Sequence, residues 1–197
     1  AAAQTAATLA ASVQVAVAPA VPTIAPTPYY KGFDEHQRRY AVGDEFRFRV
    51  TDTLTKLATP LDMRVTAVNV DGDLVEYNNG EYQSDLMGNI VRNLRGGLST
   101  PRQFYPAELF VGKRWKTRFR QARAGGVIVH FQYDLRVVGK ERITVPAGTF
   151  DTYKIEARGY NLSRNASIHR NIWVTPGISA DIAHETLVRI PGGLIDQ

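Results

Sequence analysis

Four histidines, nineteen carboxylates and no cysteine are the raw material for chemistry in this chain of 197 residues. Two imidazoles reach one metal ion at H-x-H, H-x-x-H or H-E-x-x-H spacing, and His36, His130, His169 and His184 stand at none of these. Without thiolates the remaining metal classes are carboxylate sites. Asp71-Gly72-Asp73 opens like a calcium loop but lacks the later acidic ligands and terminal Glu. There is no G-x-S-x-G elbow, no Walker loop and no dinucleotide fingerprint. The sequence therefore predicts no catalytic residue, no metal and no cofactor. A hydrolase with a dispersed active site is disfavoured because no activated nucleophile is visible.

Charge offers a second kind of chemistry. The formal net charge is +5, and its densest part is Lys113, Arg114, Lys116, Arg118, Arg120 and Arg123. On a strand, alternation points Lys116, Arg118 and Arg120 out of one face, and Arg47 and Arg49 extend that patch if their strands are neighbours. Such a patch can dock an anionic lipid headgroup or glycan, or simply form a solvated face that discourages edge aggregation. No nucleic-acid partner is expected, since exposed aromatics are not interleaved with these cations. Asn161-Leu162-Ser163 and Asn165-Ala166-Ser167 fit the N-glycosylation triplet.

The elements that must position these groups read as short strands. Glu45 to Val50 alternates with Phe46, Phe48 and Val50 on one face, and Met63–Val70 with Leu74–Tyr77 makes a hairpin around Asp71-Gly72-Asp73. Asp34 to Arg39 is a helical turn or loop, with the folded body beginning near Tyr40. Residues 84–109 are broken by Gly and Pro into short strands and a loop. Trp115–Arg120, Val127–Val138, Ile143–Val145, Thr152–Ala157, Ser167–Val174 and Ile182–Ile190 complete about nine to eleven strands. Short connections make the neighbours antiparallel, so the expected fold is mainly β, a single curved sheet or half-barrel. Phe46, Phe48, Trp115, Phe119, Phe131, Tyr133, Tyr153 and Trp173 fall on inward faces, as core or as the lining of an apolar cavity. Val42-Gly43-Asp44 and Val111-Gly112-Lys113 each precede an aromatic-bearing strand, an echo of two related half-sheets.

Residues 1–30 form an Ala/Pro-rich arm or linker and 31–197 the β domain; the first charged residue is Lys31. Within the arm, Val13, Val15 and Val17 alternate and suit addition to an exposed strand edge of a neighbouring subunit. Ala1-Ala2-Ala3-Gln4 fits the product of signal-peptide removal, so an exported protein is expected. No apolar run approaches the roughly 20 residues of a spanning helix.

Four motifs, Val42-Gly43-Asp44, Val111-Gly112-Lys113-Arg114-Trp115, Val145 to Glu156 and Trp173-Val174-Thr175-Pro176-Gly177, carry a resemblance. Over residues 40–190 the chain resembles a group of exported bacterial β domains, distantly similar to the half-barrel envelope lipoprotein carriers of the LolA-like superfamily. The resemblance implies a curved antiparallel sheet able to shelter an acyl chain, and it carries over no catalytic residue. The leading expectation is a non-enzymatic structural or interaction module of the periplasm, outer membrane or cell surface, its arm engaging another copy or another envelope protein. The alternative is a carrier or sensor of lipid or another hydrophobic ligand.

Overall fold

The computed structural model describes residues 32–123 and 125–190, together with the backbone of Ile195–Asp196, as part of one compact unit from Gly32 to Gln197. The arm, including Val13, Val15 and Val17, lies outside the described residues. The elements are β1 (Asp34–Glu35), β2 (Glu45–Thr51), β3 (Ala58–Asn69), β4 (Leu74–Tyr77), β5 (Tyr82–Ser84), β6 (Ile90–Arg92) and β7 (Leu98–Ser99), followed by β8 (Glu108–Leu109), β9 (Arg114–Ala122), β10 (Ile128–Val145), β11 (Gly148–Asn161), β12 (Ala166–Val174), β13 (Ala183–Arg189) and β14 (Ile195–Asp196). Among the described residues there is no helix, hence none that could cross a membrane. Twelve strands form one antiparallel sheet in the order β14-β13-β12-β11-β10-β9-β7-β6-β5-β4-β3-β2, and β1 pairs with β8 in a separate ribbon.

As expected, the Gly- and Pro-broken stretch contributes short strands to the sheet, β6 and β7, three and two residues long. Val127–Val138 and Ile143–Val145 are one strand, β10, which turns through Pro146-Ala147 directly into β11 with Val145 opposite Gly148. Asp34–Arg39 is not helical. Asp34–Glu35 forms strand β1 and residues 36–39 follow as a loop, so the folded body starts before Tyr40. At the β3–β4 turn the left-handed residue is Asp73, not Gly72, whose amide is held by Asn69 Oδ1 at 2.8 Å.

The repeated Val-Gly motif marks one construction made twice. Gly43 N–H donates to the Val65 carbonyl at 2.9 Å and Val65 N–H returns to the Asp44 carbonyl at 2.8 Å; Gly112 and Lys113 make the same exchange with Val137, both bonds at 2.9 Å. Both glycines hold φ near +100°, the left-handed side that suits a residue without Cβ. Immediately beyond each hooked valine the register slips, between Val65 and Ala67 in β3 and between Val137 and Gly139 in β10. Each slip is a bulge that bends its strand. The halves β2-β3-β4 and β9-β10-β11 thus share a turn, a hook and a bend.

Bending is required by what the sheet buries. β5 and β12 have β11, β10, β9, β7 and β6 between them, six spacings of about 4.8 Å or roughly 29 Å if flat. Yet Tyr82 of β5 lines the same pocket as Arg170 and Ile172 of β12. One face is therefore folded over on itself. Its larger core gathers Phe104, Leu109, Phe119, Tyr133, Leu135, Val137, Tyr153, Ile155, Ala157, Ile168, Ile172 and Val174; a smaller one holds Val65, Val75 and Tyr77. Tyr133 lies flat across the backbone of its cross-strand partner Gly159, where an added Cβ would stand 2.2 Å from the ring. Because that ring is fully buried and cannot retreat, Gly159→Ala should destabilise the protein by about 1–3 kcal/mol in urea unfolding, the range for overpacked cores. A neutral or stabilising outcome would contradict this packing.

Candidate functional site

The predicted cationic patch divides. Lys116, Arg118 and Arg120 do share the outer face of β9, but β2, which carries Arg47 and Arg49, is the far edge of the sheet rather than a neighbour. Two of these cations are engaged: Lys116 Nζ lies 3.1 Å from Asp134 and Arg47 Nη2 3.1 Å from Glu45. Arg118 and Arg120 border a shallow outer groove with His130, Gln132 and Leu162. This is an open surface.

The predicted aromatic set also divides. Phe119, Tyr133 and Tyr153 are core, with Phe119 stacked on Phe131 at 5.0 Å, while Trp115 and Phe131 pack against that core from its rim. Phe46 joins the smaller core and Phe48 lies half-buried farther along β2. Trp173 points the other way. Ile172 and Val174 take the inner positions of β12, so alternation sends Trp173 to the outer face, where its Nε1–H donates to Glu141 and Lys154 covers its ring at 4.8 Å. On that outer face Glu156 is held by Arg136 and Arg158, each at 2.6 Å. These satisfied groups bind strands together.

The concentration of chemistry lies on the inner face, in residues that the sequence pattern did not single out. The segment after β1 crosses the folded sheet as a strap. His36 N–H donates to the Ala107 carbonyl at 2.8 Å, and His36 Nδ1, 3.1 Å from the Pro106 carbonyl, must carry its proton there. Arg38 stacks on Tyr105 at 4.1 Å and reaches Asp181 in the β12–β13 loop, Nη2 to Oδ1 at 2.6 Å. Tyr105 Oη donates to the other oxygen of Asp181 at 2.6 Å, and His184 Nδ1 lies 3.7 Å away. Beside this hub is a pocket of about 100 Å³, bordered by Tyr82, Asn89, Arg102, Phe104, Arg170 and Ile172.

The electrostatics follow from this packing. Burial pushes the Asp181 carboxyl up, but His184, Arg38 and Tyr105 together outweigh it and hold the group down at about 2. Burial, reinforced by the Arg38 cation, lowers His36 to about 4, so its imidazole is neutral. Burial likewise raises the Tyr105 and Tyr82 phenols, keeping both as neutral donors. Arg102 is lowered to about 10, first by burial and next by the neighbouring Arg170 cation. At neutral pH the Asp181 carboxylate of this hub is held in the charged form and the buried His36 imidazole in the neutral one. What it offers is positive charge and fixed donors. Among the described residues no three His, Asp or Glu side chains converge as a metal would require.

Two pH windows follow. His36 binds its proton more weakly folded than unfolded, so its contribution is complete above about 6.5 and is lost as pH falls to about 4. The loss is about 3 kcal/mol at 1.36 kcal/mol per pKa unit. Asp181, depressed from 3.8 to about 2, adds a second loss of about 2 kcal/mol below that range. Urea unfolding between pH 7 and pH 4 should show the first fall in the natural sequence and a much flatter profile in His36→Gln; an unchanged slope would contradict the neutral imidazole. Comparison with models of protein families, with curated proteins and with solved structures finds no match for this chain.

Proposed function

We propose that the protein is a non-enzymatic interaction module of the bacterial envelope or cell surface, in which a sheet edge takes up a strand from a neighbouring subunit. The observation that carries this reading is β2. Among the described residues it is hydrogen-bonded on one side only, by β3, over seven residues from Glu45 to Thr51. A seven-residue edge leaves backbone donors and acceptors facing outward, the template that strand addition uses. Val42, Val50, Leu54 and Leu57, in and beside this edge, are each at least half exposed, an apolar fringe that a further strand would cover. Arg47 and Arg49 on the same strand restrict promiscuous pairing. Val13, Val15 and Val17 in the arm have the matching period of two.

The envelope location rests on the sequence resemblance. As for a lipid carrier, the pocket on the inner face is about 100 Å³, against roughly 300–1,000 Å³ for drug-sized ligands, and the groove of about 620 Å³ along β9 and β10 is open to solvent rather than enclosed. That contrast favours assembly over carriage.

Light scattering on the full chain and on a chain starting at residue 29 tests the proposal. The full chain should be oligomeric and the shortened one a monomer with unchanged β-sheet circular dichroism. A synthetic peptide spanning residues 10–20 should bind the shortened chain and protect β2 amides from hydrogen exchange. Equal masses for the two chains, or protection elsewhere, would overturn the reading.

A further inference from the structure

The pocket beside the Asp181 hub carries two arginines that the rest of the fold does not neutralise. Arg170 stands on the inner face of β12 between Ile168 and Ile172, a position that alternation assigns to the core. Its guanidinium lies 5.4 Å from the ring of Phe104 and 5.6 Å from that of Tyr133, and its Nε is buried without a hydrogen-bond partner. Arg102 is only 7% exposed, stacks on Phe119 at 4.5 Å, and its hydrogen-bond partner is the neutral Ser99 hydroxyl, at 2.8 Å from Nη2 and 3.2 Å from Nε. No carboxylate of a described residue forms an ion pair with either. Asp181 and His184 line the same pocket, but the Asp181 carboxylate is engaged by Arg38 and Tyr105.

Burying a cation such as Arg102 without a counter-charge costs several kcal/mol, and the half-buried Arg170 on the same pocket adds its repulsion. A well-packed fold that holds both therefore implies a negative group between them. Arg102 is held against Phe119 at 4.5 Å and by Ser99, Arg170 lies near the Phe104 and Tyr133 rings, and the guanidinium fork suits the oxygens of a phosphate, sulfate or carboxylate. Two positive charges select among these: a carboxylate cancels one, a divalent group both. A volume of about 100 Å³ admits a group of a few heavy atoms and nothing larger.

We infer that Arg102 and Arg170 form a binding site for one divalent tetrahedral oxyanion, a phosphate or sulfate group. Such a group is either a free ion or the terminal group of a larger molecule whose remainder stays outside the pocket. The site is independent of strand addition at β2, on which the assembly proposal rests.

The test titrates the ¹⁵N-labelled full chain with sodium phosphate, sulfate or acetate at constant ionic strength in chloride, following the arginine Nε–Hε signals. Phosphate and sulfate should give saturable shifts at Arg102 and Arg170, with acetate much weaker. Thermal unfolding provides a second readout. Phosphate should raise the natural chain's midpoint well beyond that of Arg102→Gln and Arg170→Met, and in chloride alone at least one of these variants should unfold no earlier than the natural chain, having lost an opposed charge. Vesicles containing phosphatidic acid separate the sources: capture that free phosphate reverses assigns a lipid headgroup, and no capture assigns the free ion. Non-saturating shifts with both phosphate and sulfate, saturation by acetate as strong as by phosphate, or an equal phosphate effect in both variants would overturn the site. The titration of the natural chain stands even if both variants fail to fold.

Discussion

The buried carboxylate of Asp181 is the constraint around which the inner face is arranged. It joins three parts of the chain that are remote in sequence: the strap through Arg38, the loop after β7 through Tyr105, and the start of β13 through His184. Ser179 strengthens the same junction by accepting from the Arg39 amide at 2.9 Å and donating to the Arg39 carbonyl. A sheet this wide buries one face only if its halves are drawn together. Nearest-neighbour ladders alone supply no such force, because they act between adjacent strands. An ion pair of this kind is costly to bury and far costlier to break singly, so it specifies one closure rather than a family of related ones.

Closure depends on bends placed at matching points in the two halves. Val65 and Val137 are each buried, each exchange two hydrogen bonds with a Val-Gly turn, and each precede a register slip. The strand after the slip is thereby turned inward, so hydrophobic burial and backbone bonding favour the same geometry. The outer face is tied by charge instead, with Glu156 between Arg136 and Arg158 and Arg142 paired with Asp151 at 2.7 Å. Division of labour between the faces explains why the strong cationic signal in the sequence is mostly structural, while the chemically unusual arginines are hidden.

Much of this was legible from residue order. Period-two runs located β2, β9, β10 and β12, the Asp-Gly-Asp turn located β3 and β4, and the Val-Gly echo located both hooks. Pairing beyond adjacent hairpins was not legible, because alternation fixes which face a residue takes and not which strand lies beside it; hence whether Arg47 and Arg49 extend the patch at Lys116 stays open in the sequence. Trp173 was misplaced for a related reason. Its bulk argues for the core, but Ile172 and Val174 on either side already claim the inner positions. The pocket is not legible in the sequence because Tyr82, Arg102, Tyr105 and Asp181 lie in short strands and loops without periodicity. One signal was present: in Ile168-His169-Arg170-Asn171-Ile172 an arginine interrupts the apolar series, and a cation on a buried face calls for a reason.

A double-mutant cycle in urea unfolding tests this account most directly, using Arg38→Met, Asp181→Asn and the pair. If the carboxylate closes the folded sheet as described, each single change costs about 3–5 kcal/mol, and the double falls short of their sum by about 2 kcal/mol or more. Additivity within about 0.5 kcal/mol would show that the two residues do not act on one another, and would contradict the account.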